Sequence, residues 1–322
     1  MFLEYYSHIG STDNPFKRDN FVGILKHCDK DTETRTLRKW EKLVSYTLRE
    51  CQIYFNSYNF VAAKDSLEQV WEKHEKLMSV LGDILYEKDE PTAALIGSLA
   101  QSYAFEGNND EAVEYFDMSK NYAIKSTAIT NSYLFAIYHS KGDVEKCREY
   151  FQMVTHKTPE DYYQKGKFDD TWVLLLYCKL RALELYKNGT TVLSAIDLES
   201  LKNYNSEYPF PLVMKWEGIA LWLENKDANR SKVEQYFTDA INNLLNKNNG
   251  FAIRTLALPI IQCYALVNNQ NPFHAKYNNY LSELKEQSEY FKVFADSSAI
   301  LGNIKNDKDI WERAMSLPFY YS

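Results

Sequence analysis

The chain has 322 residues, of which 45% are hydrophobic, 15% aromatic and 25% charged, and its formal net charge at pH 7 is −7. Because this apolar content is enough to bury a large core, the composition excludes an intrinsically disordered protein. The acidic balance argues against a nucleic-acid-binding surface, since such surfaces are normally basic. Glycine (11) and proline (8) are scarce, which favours long helices over frequent turns.

The first 30 residues match no repeating pattern in the rest of the chain. Apolar residues at Phe21, Ile24 and Leu25 predict a single capping helix there. Residues 1–10 contain no basic stretch followed by an apolar one, and the sequence has no apolar run long enough to cross a bilayer. The five cysteines form no C-x-x-C pair, which is typical of free thiols in a reducing compartment. We therefore expect a cytoplasmic protein without a membrane partner.

A short motif occurs twice in the middle of the chain, with an offset of 35 residues. Each copy has a tyrosine, then a glycine, then a phenylalanine at the same relative positions: Tyr103, Gly107 and Phe116, and then Tyr138, Gly142 and Phe151. A self-similarity of about 34 residues is the period of a helix–turn–helix repeat. The motif therefore predicts paired antiparallel helices that meet at the two glycines, where glycine can adopt a positive φ without steric cost.

Residues beside the two glycines predict how each hairpin is built. Asp110 is expected to cap the helix after Gly107, because its carboxylate can accept a hydrogen bond from a free backbone N–H. Ala112 and Cys147 occupy equivalent positions in the two copies and have small side chains. We expect each of them to pack closely against the first helix of its own hairpin.

These positions resemble the tetratricopeptide repeat (TPR) family, in which Leu-Gly or Leu-Ala and a tyrosine mark the first helix, and alanine and a large aromatic residue mark the second. The matching residues of the first copy are Ile96, Leu99, Ala100, Tyr103, Gly107, Ala112 and Phe116, and those of the second are Leu134, Tyr138, Gly142, Cys147 and Phe151. The resemblance implies an all-α, TPR-like superhelix of about six antiparallel helical hairpins with an N-terminal capping helix.

Weaker copies of the pattern flank the two clear ones. Upstream, Tyr54 and Ala63 keep the offsets of Tyr103 and Ala112, and downstream an enlarged turn is predicted at residues 225–231. The predicted organisation is a capping segment (1–30), an N-terminal TPR-like block (31–157), an insertion loop (158–170) and a C-terminal degenerate TPR-like block (171–322).

The resemblance also implies a binding surface, because the first helices of TPR hairpins line a concave groove. By their positions, four residues are expected to point into it: Gln101, Phe105, Ser132 and His139. The alternative is that Phe105 packs on the neighbouring hairpin and that His139 is an ordinary exposed side chain. The Lys, Asn and Arg clamp of chaperone-binding TPR proteins is missing here. We therefore expect another protein or peptide ligand, held by aromatic anchors.

No catalytic, metal-binding or phosphate-binding motif is recognisable in the sequence. The six histidines are scattered, and neither H-E-x-x-H nor a glycine-rich phosphate loop occurs. We predict a non-enzymatic protein- or peptide-binding scaffold or adaptor, with no cofactor, no metal and no nucleic-acid partner, and a homodimer remains open. One alternative is a peptide-responsive regulatory sensor without a DNA-binding domain, similar to the TPR portion of bacterial peptide-sensing regulators. A remote alternative is an enzyme with an unrecognised active site.

Overall fold

The computed structural model describes residues 30–56, 59–81, 90–123, 128–165, 171–188, 198–203 and 210–246, and ten further positions between 257 and 282. Within these residues the backbone is predominantly helical and contains no β-strand, as the periodicity predicts. The predicted capping helix lies outside the described residues, as do most residues of the hairpins predicted beyond position 246.

Ten helices have defined bounds in the described part of the chain. They are α1 Lys30–Asn56, α2 Phe60–Leu81, α3 Glu90–Phe105, α4 Asn109–Tyr122, α5 Ala128–Ser140, α6 Val144–Thr155, α7 Pro159–Lys165, α8 Thr171–Lys187, α9 Pro211–Glu224 and α10 Lys226–Leu244. The chain divides into two compact units, unit 1 (Met1–Thr130) and unit 2 (Asn131–Ser322). This division falls between the two clear sequence copies, whereas the sequence placed both in one block ending at residue 157.

The turn between α3 and α4 has the geometry that the first glycine predicts. Gly107 has a φ of 83°. Its N–H donates to the carbonyl of Ala104 at 3.1 Å, and the N–H of Asn108 donates to the carbonyl of Tyr103 at 2.9 Å. These two bonds form a Schellman motif, which satisfies the last free carbonyls of a helix and needs a left-handed residue at its centre. The predicted role of Gly107 is therefore confirmed.

The turn between α5 and α6 repeats this arrangement in unit 2. Gly142 has a φ of 70°, and the same two backbone bonds join Gly142 to His139 and Asp143 to Tyr138, at 3.0 and 2.9 Å. The weaker upstream copy has the bond that spans five residues, from the N–H of Asn59 to the carbonyl of Tyr54 at 2.9 Å. The spacing in the two clear copies thus corresponds to one turn geometry used twice, and the upstream copy shares one of its two backbone hydrogen bonds.

The helix caps differ from the prediction at Asp110. The N-cap of α4 is Asn108, and Asp110 lies in the first turn of the helix. In the Schellman turn, Asn108 directly follows Gly107 and also serves as the N-cap of the next helix. The helix α4 therefore begins at Asn109, and Asp110 already lies inside it. In the second copy Asp143 stands at the N-cap, where its carboxylate accepts a hydrogen bond from the N–H of Lys146 at 3.0 Å.

Two contacts hold the helices of a hairpin together in both clear copies. Ala112 and Cys147 are fully buried, as predicted, and the thiol of Cys147 donates to the carbonyl of Phe135 on α5 at 3.6 Å. A pair of stacked tyrosines closes each hairpin near its turn. The ring centroids are 5.3 Å apart in Tyr103–Tyr115 and 5.6 Å apart in Tyr138–Tyr150. Such stacked pairs contribute roughly 0.5–1.5 kcal/mol beyond the apolar area that they bury.

The core of unit 1 is built where α1, α2 and α3 meet. Its buried members include Trp40, Leu43, Val44, Leu67, Trp71, Leu95, Ile96 and Leu99. His74 is 1% exposed in this core, stacked on Trp71 at 4.6 Å and tilted against Trp40 at 5.3 Å between ring centroids. Neither of its ring nitrogens has a hydrogen-bond partner among the described residues. Burial lowers the pKa of His74 to about 4, so its imidazole is neutral at neutral pH.

Part of the predicted insertion loop in unit 2 is helical. Residues 159–165 form the short helix α7, with Pro159 as its first residue. The Asp161 carboxylate accepts from both the N–H and the hydroxyl of Thr158, at 2.8 and 2.9 Å, which is the bond of a capping box that runs back from the third helical residue to the residue before the helix. Arg148 on α6 forms ion pairs with Glu160 on α7 and with Glu184 on α8. Polar composition alone did not reveal this helix.

The turn between α9 and α10 is shorter than predicted. Asn225 alone separates the two helices, and its side chain accepts from the N–H of Ala228 at 3.0 Å. The enlarged turn predicted at residues 225–231 is therefore wrong, because a single asparagine ends one helix and caps the next. Within this hairpin, α9 and α10 pack with little space between them at Gly218. A Cβ at Gly218 would lie 2.5 Å from the ring of Phe237.

Candidate functional site: the face shared by α5 and α8

Two hydrogen bonds place α8 beside α5 in unit 2. The Nε1–H of Trp172 donates to the hydroxyl of Ser132 at 3.3 Å, and Nε2 of His139 lies 3.0 Å from the backbone carbonyl of Lys179. Along each helix the two contacts lie seven residues, or about two turns, apart, so α5 and α8 run parallel with matching faces. The side of this pair that carries Trp172 is referred to below as the α5–α8 face.

Ser132 and His139 are buried at the base of this face. Their exposed fractions are 7% and 8%. The contact of His139 with a carbonyl requires Nε2 to carry the proton and to donate it. Burial, and after it the charge of Lys179, lower the pKa of His139 to about 3, so the ring is neutral. Both residues hold α8 against α5 and expose less than a tenth of their surface. That they contact a ligand in a groove stays a prediction.

Phe105 is buried in unit 1, with 3% of its surface exposed. Its ring stacks on that of Phe60 at 3.9 Å, almost parallel, and lies 6.2 Å from that of Phe55. This is the packing role that the sequence left as the alternative. Truncating such a ring to alanine typically costs about 3–5 kcal/mol of stability, so a binding assay on that variant would mainly report unfolding.

Gln101 lies half-buried on α3. Gln101 and Phe105 therefore belong to unit 1, whereas Ser132 and His139 belong to unit 2. The structure brings Ser132 and His139 to one face, and it gives Phe105 to the core of unit 1. That all four residues share one groove stays a prediction.

Trp172 is the surface residue that sequence reasoning missed. It is 47% exposed, although it is the largest side chain type and lies at the start of a helix whose other residues are mostly buried. In the sequence it follows the predicted insertion and was assigned only to a long apolar helix. The spacing could have predicted its place. Trp172 lies 40 residues after Ser132, so a repeat lengthened by a small insertion puts Trp172 at the first-helix position that Ser132 occupies one repeat earlier.

The buried thiols and imidazoles of the described residues are poorly suited to nucleophilic or acid–base chemistry. Burial raises the pKa of the Cys51 thiol to about 12 and that of Cys147 further. Each donates to a backbone carbonyl, Cys51 to that of Ala63 at 3.6 Å. A neutral, hydrogen-bonded thiol is a weak nucleophile. In the same part of the chain, no cluster of three or more His, Cys, Asp or Glu side chains could hold a metal ion.

The comparisons with known proteins found no match: no family model, no curated protein and no solved structure is similar to this chain. Within the helices that the structure describes, none is both long and apolar enough to cross a membrane.

Proposed function

We propose that this chain is a non-enzymatic helical-repeat scaffold, similar to TPR proteins, that binds a protein or peptide segment through the α5–α8 face. The observation that carries the proposal is the half-exposed Trp172 on a first helix that runs parallel to the preceding first helix. In helical-repeat arrays, first helices aligned in this way form the ligand-binding surface.

The chemistry of this face suits a polypeptide ligand. Tryptophan offers a large, rigid contact area with little conformational entropy to lose, and it is enriched among the residues that dominate binding energy. The hydrogen bond from Trp172 to Ser132 fixes the orientation of the indole before a ligand arrives, which lowers the cost of ordering it. An acidic chain gives no general attraction for nucleic acid.

Repeated turn and packing geometry supports the scaffold role. The Schellman turns at Gly107 and Gly142 and the two tyrosine stacks recur with the sequence repeat. Cys51 and Cys147 are buried, free thiols, which suits a reducing setting such as the cytoplasm. The side chains at these positions pack the helices together, as is typical of repeat scaffolds, in which each repeat contacts its neighbours.

The test is affinity purification of the full chain with quantitative mass spectrometry, compared with a Trp172→Ala variant. We expect the variant to lose its polypeptide partner by about 30-fold, because truncating such an anchor commonly costs about 2 kcal/mol. Met153→Ala is the matched control, since Met153 is 43% exposed in the same unit but lies on the second helix α6.

Circular dichroism and a thermal melt establish that both variants are folded before binding is compared. Equal recovery of the partner by Trp172→Ala and the parent chain would contradict the proposed site. Selective recovery of nucleic acid would contradict the proposed class of ligand.

A further inference from the structure

The α5–α8 face has an aromatic residue at one end and a lysine at the other. Trp172 lies in the first turn of α8, and Lys179 lies seven residues later on the same helix. Seven residues make about two helical turns, so the two positions lie on the same side of α8, about 10 Å apart. Trp172 is half-exposed and Lys179 is partly exposed. A ligand on this side of α8 therefore encounters an indole ring and an amine at a fixed spacing.

Contacts with α5 hold both ends of this spacing in place. The indole of Trp172 donates to Ser132, and the backbone carbonyl of Lys179 lies 3.0 Å from Nε2 of His139. Because both positions lie on one helix that is bonded to its neighbour at each end, the spacing is set by the backbone and not by a loop. A preorganised spacing of this kind favours ligands whose own anchor groups match it.

A second lysine acts electrostatically on Lys179 from the next helix. Lys215 is buried in α9, which packs against α8. Burial, and after it the charge of Lys215, lower the pKa of Lys179 to about 7. The charges of both lysines also contribute to the low pKa of His139. Basic side chains from three helices therefore oppose one another's protonation at this end of the face, and a carboxylate beside Lys179 would stabilise its ammonium form.

The acidic residue that follows Lys179 on α8 lies on another side of the helix. Glu184 accepts from Arg148 on α6 at 2.7 Å and from Arg181 on α8 at 3.0 Å. Positions 179 and 184 lie about 140° apart around the helix, because each residue advances by about 100°. The carboxylate of Glu184 thus belongs to the side of α8 that meets α6, whereas Lys179 belongs to the side that carries Trp172.

We propose that the ligand of the α5–α8 face is an extended peptide segment with an apolar side chain that packs on Trp172 and an acidic side chain that pairs with Lys179. This inference rests on the proposed function and specifies its ligand. In a polyproline II conformation, side chains three residues apart point to the same side and lie about 9 Å apart. The two anchor residues of the ligand should therefore be about three positions apart.

The first experiment selects binders of the immobilised full chain from a random peptide library displayed on phage. Each peptide is fused through its C-terminus, so the only free carboxylates within it are those of side chains. We expect the enriched peptides to share a Leu, Phe or Trp with an Asp or Glu about three positions away. The same selection against Trp172→Ala should lose this motif. The selection on the parent chain does not depend on the folding of any variant.

A charge reversal tests the role of the lysine directly. Selection against Lys179→Glu should enrich Lys or Arg in place of the acidic residue. Lys232→Glu is the matched control, since Lys232 lies at an exposed position of the second helix α10, and it should enrich the same acidic motif as the parent chain. Circular dichroism and a thermal melt establish that both variants are folded.

A binding measurement on one enriched peptide completes the test. Replacing its acidic residue with the corresponding amide should weaken binding to the parent chain about tenfold, with little effect on binding to Lys179→Met. Peptides that require Trp172 but show no acidic preference would overturn this inference and leave the proposed binding face intact. Peptides that bind Trp172→Ala as tightly as the parent chain, or no enrichment at all, would contradict the proposed function and the inference together.

Discussion

At the scale of single residues, the core of unit 1 contains a histidine that must stay neutral. His74 is packed between Trp40 and Trp71, and neither of its ring nitrogens has a hydrogen-bond partner among the described residues, so a charge on the buried ring would be costly. His74 has a pKa of about 4 in the folded chain, against about 6.5 for an unperturbed histidine. The folded state therefore binds fewer protons than the unfolded state between these two values.

This difference predicts that stability falls as the pH falls from 6.5 to 4. Above pH 6.5 this histidine is neutral in both the folded and the unfolded state and does not change the free energy of unfolding. Below pH 6.5 the unfolded chain binds a proton that folded His74 does not, and this lowers the free energy of unfolding. Phenylalanine at position 74 keeps the aromatic stacking but cannot be protonated. Between pH 7 and pH 4.5 the His74→Phe variant should therefore lose about 2 kcal/mol less of its free energy of unfolding than the parent chain does. Urea denaturation of both proteins at pH 7 and pH 4.5 measures this difference.

His156→Asn is the matched control for the histidine experiment. His156 is exposed and has a φ of 57°, a left-handed conformation that asparagine also accepts. We expect its loss to leave the pH dependence nearly unchanged. A His74→Phe variant with the same acid sensitivity as the parent would show that other groups cause the loss.

At the scale of helices and turns, the hairpin depends on a small residue where the two helices approach. Ala112 is fully buried, and we expect Ala112→Trp to overpack the contact of α4 with α3 and to destabilise the chain by about 1–3 kcal/mol. Glu111→Trp is the control, since the neighbouring side chain is exposed. Equal denaturation midpoints for the two variants would mean that the repeat register is misassigned.

Sequence reasoning succeeded for elements where local chemistry determines the geometry. The positive φ at Gly107 and Gly142, and the burial of Ala112 and Cys147, follow from short-range rules about glycine turns and helix spacing. It did not place the helix starts correctly at Asp110, nor did it find the single-residue turn at Asn225. Several polar residues can cap a helix, and backbone hydrogen bonds decide which of them does.

The candidate site was harder to predict because it depends on contacts between helices. A first-helix position in a repeat can face a groove or the next hairpin, and periodicity alone does not distinguish the two. Phe105 packs on Phe60, whereas Trp172 reaches the surface, and both are large apolar residues in helical patterns. The buried Lys215 is also unexpected from sequence, since lysine is almost never fully buried unless it is paired.

At the scale of the whole molecule, the sequence predicts an all-α chain, including the parts that the structure leaves undescribed. Few glycines and prolines, and a helical period along most of the chain, support this expectation. We expect a far-UV circular dichroism spectrum with minima at the wavelengths of α-helix and a high helical content. A substantial β-sheet contribution would contradict the all-α assignment.

The burial of α9 has a consequence for the order in which unit 2 can fold. A helix with one apolar face needs only one neighbouring helix to cover that face. In contrast, α9 is buried on nearly all sides and contacts both α8 before it and α10 after it. A nascent chain that ended at Glu224 would expose most of this helix to water. Unit 2 should therefore fold around α9 in one cooperative step. A chain truncated within unit 2 should aggregate rather than form a shorter, stable array of helices.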